Sequence, residues 1–178
     1  MIRLLPTDPP PHTLALVIAV AVHRALSDYV GAQAIRIKWP NDIMAGAAKL
    51  SGMLLERAED AIIIGIGVNV AHAPDLADRQ AISLRELGAQ SCDPAMLLEA
   101  IACYFEDGVR QWRSFGVEPV ARNWQERAHA TGTPLAAMLA DGQRIEGRFA
   151  SLDGDGALIL RLADGRSHVI HAGDVFLI

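Results

Sequence analysis

Apolar and polar positions divide this chain into two regions. Ile-Arg-Leu-Leu at 2–5 predicts the tail of a strand, and the prolines between Pro6 and Pro11 predict a rigid loop. Apolar residues then run without a break from Leu14 to Val22, with Thr13 as a candidate N-cap and Gly31 as a stop. The pattern predicts a helix over 14–30, apolar nearly all round and therefore buried. Strands are predicted over 34–39, ended by Pro40, and over 43–44 and 49–56 as a hairpin around Ala45-Gly46-Ala47-Ala48. A further β-branched strand is predicted over 61–67, entered through Glu59-Asp60. Residues 70–80 read as a loop. Ser83 predicts the cap of a short helix over 84–87, closed by Gly88. Asp93-Pro94 is a strong helix start, because the carboxylate accepts from free N–H groups and a first-turn proline forfeits no hydrogen bond. That helix runs to about 115 and a second covers 118–129.

From Thr133 onward the pattern changes. Short β-like runs alternate with Asp141-Gly142, Asp153-Gly154-Asp155-Gly156, Asp164-Gly165 and Gly173-Asp174. Asp-Gly between apolar runs is a hairpin signal, and five such strands predict a small β-barrel. The expected organisation is an α/β core over 1–130 and a barrel over 131–178.

Composition narrows the function classes. The chain has 178 residues, of which 51% are hydrophobic, enough for a sizeable core. Net charge is −5, and the predicted barrel carries four arginines against six acids, so neither region is a basic module and no nucleic-acid partner is expected. Two cysteines, Cys92 and Cys103, are too few for a disulfide scaffold or a four-ligand zinc site, which points to a reducing cytoplasm. The apolar run ending at His23 falls short of the ~20 residues of a membrane span, and no basic n-region or cleavage site frames it. No membrane partner or signal peptide is expected. The six histidines show no metal-ligand spacing.

Candidate chemistry concentrates in Arg36-Ile37-Lys38-Trp39-Pro40-Asn41-Asp42, where a strand delivers cations, an aromatic, an amide and a carboxylate through a proline corner. If 45–48 turn the chain, Lys49 falls beside Asp42. A carboxylate next to an ammonium can hold a divalent metal and a phosphate together, although the same spacing equally describes a surface salt bridge. Gly65-Ile66-Gly67-Val68-Asn69 ends a buried strand. It lacks the third glycine and the following helix of a dinucleotide fingerprint. Glycine at a strand end admits a ligand or another backbone, and an asparagine amide can pair with an adenine edge. A bulge followed by a turn asparagine fits the same residues. Gly52 is a second such gap, or a packing glycine.

In their order, these segments resemble the biotin protein ligases. Lys38-Trp39-Pro40-Asn41-Asp42 stands as that family's Lys-Trp-Pro-Asn-Asp motif. Lys49-Leu50-Ser51-Gly52-Met53-Leu54 is similar to its Lys-Leu-Ala-Gly-Ile-Leu strand, and Gly65-Ile66-Gly67-Val68-Asn69-Val70 to its Gly-Ile-Gly-Ile-Asn-Val segment. The resemblance implies an α/β (α+β) fold: a mixed-sheet biotin/lipoate ligase-like core, akin to class II aminoacyl-tRNA synthetases, followed by an SH3-like barrel. It implies ATP, Mg2+ and biotin as reactants or cofactors, biotinyl-AMP as intermediate, and a lysine of a biotin carboxyl carrier domain as acceptor. It also implies roles. Lys49 would contact the biotin carboxylate and the phosphate. Asp42 would support Mg2+ or the attacking lysine. Gly52 would receive the biotin ring and Asn69 would read adenine. Lys38, Trp39, Asn41, Gly65 and Gly67 would shape the binding pocket. The family's Gly-Arg-Gly-Arg-x-Gly loop and its upstream biotin-binding Ser/Thr and Gln are not in this sequence, nor is a helix-turn-helix. The match is expected to begin partway into the catalytic domain. That expectation leaves open a binding module without turnover. A lipoate ligase or octanoyltransferase is a further alternative. Missing neighbours are also expected to bare the apolar helix and an edge near Ile2–Leu5, and so to favour a homodimer.

Overall fold

The structure is a computed structural model that describes residues 1–77 and 79–178. Its first sheet is built from β1 (Ile2–Arg3), β2 (Arg36–Lys38), β3 (Asp42–Ala45), β4 (Ala48–Ala58) and β5 (Ala61–Val68), in the order β1-β5-β4-β3-β2. The ladders between these strands are antiparallel, and among the described residues parallel pairing is confined to isolated bridges of Ile37 with Ala128 and Lys49 with Ala81. Three helices accompany the sheet: α1 (Leu14–Val30), α2 (Pro94–Phe115) and α3 (Val117–Gln125). The second sheet contains β6 (Pro134–Met138), β7 (Arg144–Leu152), β8 (Leu158–Arg161), β9 (Ser167–Ile170) and β10 (Asp174–Leu177), in the order β10-β6-β7-β8-β9. These are the five strands that the Asp-Gly turns predict.

The all-round apolar character of α1 has a structural cause. The helix packs against α2, α3 and the sheet at once, so Leu14, Val17, Ala19, Val22 and Leu26 are almost fully buried. By length and composition alone Pro11–Val30 would suffice to cross a membrane, yet most of it lies inside the fold. The expectation that α1 bares apolar surface is therefore corrected: its neighbours within the chain cover it. Exposed apolar side chains lie elsewhere, among them Leu54 and Ile63 on the sheet. Thr13 precedes α1 without capping it. Its hydroxyl donates to the Pro10 carbonyl at 2.6 Å and accepts from the buried Trp112 indole N–H at 2.8 Å.

The Asp93 carboxylate accepts from the Ala95 N–H at 2.9 Å and starts α2 as expected. The short helix over 84–87 is corrected to a series of turns. Ser83 and Glu86 bond reciprocally, the Ser83 N–H and hydroxyl donating to the carboxylate and the Glu86 N–H donating back to the Ser83 hydroxyl. This is capping-box chemistry. No helix grows from it, because Gly88 at φ 95 turns the chain within one turn. The helix expected over 118–129 stops at Gln125, and Ile37 N–H reaches the Arg127 carbonyl at 2.9 Å instead.

His23 is a buried imidazole inside α1, with Nε2 donating to the Ile35 carbonyl at 3.3 Å. Burial, aided by the charges of Arg127 and Arg36, pulls its pKa down to about 4, against the pull of that hydrogen bond. The unfolded chain takes up this proton near pH 6.5, whereas the folded chain refuses it until about pH 4. The stabilisation is therefore complete above 6.5 and is lost as pH falls to 4, at roughly 1.4 kcal/mol per pH unit. Urea unfolding at several pH values in that window should show a steeper acid loss for the wild type than for His23→Gln. Parallel profiles would contradict this assignment.

Candidate functional site

Register and alternation assemble the site. Directly opposed residues of an antiparallel pair share one face of the sheet. Lys38 opposes Asp42, Asp42 opposes Gly52, and Gly52 opposes Gly67, so residues from four strands form one cross-strand row. Gly65, opposite Leu54, lies on the same face one step along. The intervening Met53, Ile64 and Ile66 pack toward the core. Three glycines thus leave a stretch of sheet without side chains.

Lys49 reaches this row through a bulge. Pairing shifts between Ile43 and Met44, so that Met44 opposes Lys49 while Ile43 opposes Ser51. The extra residue puts Lys49 on the face of Met44 and Asp42 rather than on the opposite one, as a bulge commonly re-aims a side chain. Its Nζ lies 2.5 Å from Asp42 Oδ1, and Lys38 Nζ lies 3.0 Å from Asp42 Oδ2. A Cβ placed on Gly52 would come within 2.8 Å of both Cε and Nζ of Lys49. The absent side chain is what lets the lysine lie across the strand.

Two ammonium groups around one buried carboxylate leave a local positive charge in a chain of net charge −5. Lys38 also donates to the Val175 carbonyl of β10 at 2.8 Å, which ties the second sheet to the row. Lys49 retains 31% side-chain exposure and borders a cleft of about 530 Å³. Gly52, Gly65, Gly67 and Asn69 line the same cleft, and the loop after β5 supplies a wall through Pro74, Leu76 and Arg79. Sequence reasoning missed that wall, because the loop carries no periodicity to mark it. Asp42 borders an adjoining cavity of about 230 Å³, shared with Lys38, Lys49 and Phe176. The chemistry on offer is a side-chain-free platform for a flat ring, with a cation at one end to neutralise carboxylate and phosphate oxygens.

The other singled-out residues brace the scaffold, Asn69 from the cleft wall and Asn41 and Trp39 away from it. Asn69 Nδ2 donates to the carbonyls of Lys49 and Ile82 at 3.2 and 3.1 Å, holding the β5 exit against the start of β4. Asn41 Nδ2 donates to the Met53 carbonyl at 2.5 Å. Trp39 is buried, and its indole N–H donates at 3.0 Å to the Gly156 carbonyl, in the turn between β7 and β8. Neither Trp39 nor Asn41 lines the cleft. Trp39→Phe should cost about 1 kcal/mol of stability through that single hydrogen bond, measurable by thermal denaturation, and leave the cleft intact. A loss of ligand binding at unchanged stability would reverse this assignment.

Nor do the residues at Asp42 make a resident Mg2+ site. Both carboxylate oxygens face ammonium groups, which repel a dication, and the described residues contain no group of three or more His, Cys, Asp or Glu that would hold a metal.

Comparison with known proteins places this geometry. A family model described as the biotin/lipoate A/B protein ligase family matches residues 4–126, and one described as the biotin protein ligase C terminal domain matches residues 137–178. The chain is 34% identical over 139 residues to a biotin–[acetyl-CoA-carboxylase] ligase of Mycobacterium tuberculosis, covering 78% of this chain and 52% of that relative. It is 34% identical over 174 residues to the protein of the same name from Paracoccus denitrificans, covering 92% of this chain and 72% of that relative. It therefore spans about half the length of the first and nearly three quarters of the second. The fold matches that of a biotin protein ligase from Aquifex aeolicus in complex with biotin and ATP. The TM-score is 0.83 at 20% identity, over 97% of this chain and 74% of that one.

Proposed function

This chain belongs to the biotin/lipoate A/B protein ligase family, and on that premise we propose that it carries the adenylate-holding site of a biotin–protein ligase. The reaction joins biotin to a lysine of a biotin carboxyl carrier domain in two steps. A biotin carboxylate oxygen attacks the α-phosphorus of ATP, an O–P bond forms, and pyrophosphate departs with the electrons of the broken bond. The lysine amine then attacks the acyl carbon of biotinyl-AMP. A C–N bond forms, the C–O bond to phosphate breaks, and AMP leaves as the amine loses its proton. Mg2+ enters with ATP, as part of that substrate.

The observation that carries this reading is Lys49 lying across Gly52 at the head of the glycine-floored cleft. Two anions meet in the first step, and the Lys49 ammonium neutralises both the carboxylate and the α-phosphate. The biotin ring lies on the bare strand at Gly52. Gly65 and Gly67 let the adenylate approach the backbone, and Asn69 offers adenine its carbonyl oxygen, because its N–H groups are committed to Lys49 and Ile82. Asp42, held between two cations, orients the acceptor lysine. Lys38 fixes Asp42 from the other side.

Self-association belongs to the same proposal. β1 covers only Ala61 and Ile62 on the outer edge of β5, and Leu54 and Ile63 are exposed nearby. Unpaired edges recruit further strands. The decisive experiment titrates the 178-residue chain with biotinyl-AMP by calorimetry and then adds an apo carrier domain. Saturable binding followed by a one-biotin mass gain on the carrier supports the proposal. An absence of binding overturns it.

A further inference from the structure

A second concavity, of about 360 Å³, lies on the helical side of the molecule and shares no lining residue with the cleft or the cavity at Asp42. It is framed by α1, the loop into β2, Tyr104 of α2 and the segment after α3. Three guanidinium groups face it: Arg24, Arg36 and Arg127. For a chain of net charge −5 this is a concentration of cation against the composition.

Carboxylates neutralise the cluster only in part, since Asp28 and Glu126 line the concavity against the three arginines and leave Arg36 on neutral partners. Arg36 Nη1 donates to the carbonyls of Ala32 and Ile35 at 3.0 and 2.8 Å, and Nη2 donates to Gln33 Oε1 at 2.8 Å. All three acceptors are neutral, and they lock the guanidinium in place. Arg24 stacks on the Tyr104 ring, its Cζ 4.1 Å from the centroid, and makes no ion pair within 4.0 Å among the described contacts. Arg127 is anchored to Asn123 and pairs with Glu126 at 3.6 Å. The Asp28 carboxylate accepts the Tyr104 hydroxyl at 3.1 Å and keeps its negative charge beside the stacked Arg24. Three guanidinium groups against two carboxylates leave one net positive charge, centred on Arg36. Planar guanidinium groups held by neutral partners are preorganised for oxyanions, because forming the complex requires little further ordering.

We propose that this concavity is a second anion site, separate from the adenylate cleft, which binds a small phosphate-bearing molecule between Arg24 and Arg36. Its size suits a compact ligand rather than a polymer, at the lower end of the range typical of small-molecule pockets. The site goes beyond the ligase reading and does not depend on it.

Inorganic phosphate and pyrophosphate are the probes. The chain is titrated with each at constant ionic strength, with chloride as control, and backbone amide shifts are followed by NMR alongside calorimetry. Saturable shifts at Gln33, Arg36 and Tyr104 are expected in the wild type and, unchanged, in Lys49→Ala. Arg24→Gln and Arg36→Gln should each weaken binding about tenfold or more, as loss of a charge-assisted hydrogen bond implies. Arg36 also fastens the loop after α1, so Arg24→Gln, which removes only a surface stack, decides the matter if Arg36→Gln disturbs folding. Three results would overturn the proposal. They are shifts no larger than those with chloride, phosphate binding that disappears with Lys49→Ala, and unchanged affinity in Arg24→Gln.

Discussion

Replacing Lys49 by alanine is expected to weaken biotinyl-AMP binding by about 10- to 150-fold while leaving the fold in place. A hydrogen bond to a charged group is worth ~1.5–3 kcal/mol, which sets that range. Transfer to the carrier lysine should slow further, by about 10²–10³, because the ammonium faces charge that builds on the phosphate as it departs. Stability should change by less than about 1 kcal/mol. Lys49 is partly exposed, and Asp42 keeps a second cation in Lys38 at 3.0 Å, so its carboxylate is not abandoned in the interior. Lys49→Arg should recover little, since the bulkier guanidinium cannot lie in the gap over Gly52. Calorimetry with biotinyl-AMP and single-turnover transfer assays check both effects. An alanine variant that binds as tightly as the wild type would remove Lys49 from the site.

The two lysines divide the work through their surroundings. Lys38 is the more enclosed, and its ammonium is committed to Asp42 and the Val175 carbonyl, so it fastens Asp42 and the second sheet together. Lys49 pairs with Asp42 and opens on the cleft. The first is a structural cation and the second is available to a ligand. The two motifs already give them different roles, and the burial and partners in the folded chain supply the physical reason.

What the sequence reveals depends on how local its cause is. The bounds of α2 are legible, because Asp93-Pro94 and Gly116 act on the backbone groups immediately beside them. The strands after Thr133 are legible for the same reason, through their Asp-Gly turns. The segment after Ser83 misleads because its capping signal is real, yet the turns satisfy the same donors. β2 ends one residue earlier than predicted, where Trp39 turns away to the Gly156 carbonyl. Least legible is the row from Lys38 to Gly67. It depends on the pairing of four strands and on one bulge, and without that bulge Lys49 would face the other side of the sheet. The motifs identify the residues of the site, whereas register decides which of them meet. Trp39 and Asn41 belong to the motif but hold the scaffold, while Pro74, Leu76 and Arg79 belong to the cleft with no motif to announce them.

Gly52→Val is the sharpest test of this geometry, because it should remove function while sparing the fold. The new Cβ would sit 2.8 Å from Lys49 Cε and Nζ and 3.3 Å from Asp42 Oδ1. Those first two atoms end a flexible side chain that can swing into solvent, so the clash resolves without moving backbone. Valine also suits an interior strand position better than glycine does, so thermal stability should hold or rise slightly. The displaced ammonium no longer meets the carboxylate and phosphate, and the isopropyl group fills the floor where the ring lies. The loss in biotinyl-AMP affinity should match or exceed that of Lys49→Ala, at about 100-fold or more. Because both changes act through one ammonium, the double variant should lose much less than the product of the two single losses. Multiplicative losses would mean that Gly52 and Lys49 serve the ligand independently. A Gly52→Val chain that binds normally, or that fails only by unfolding, would show that the bare strand is a packing feature and not a platform for substrate.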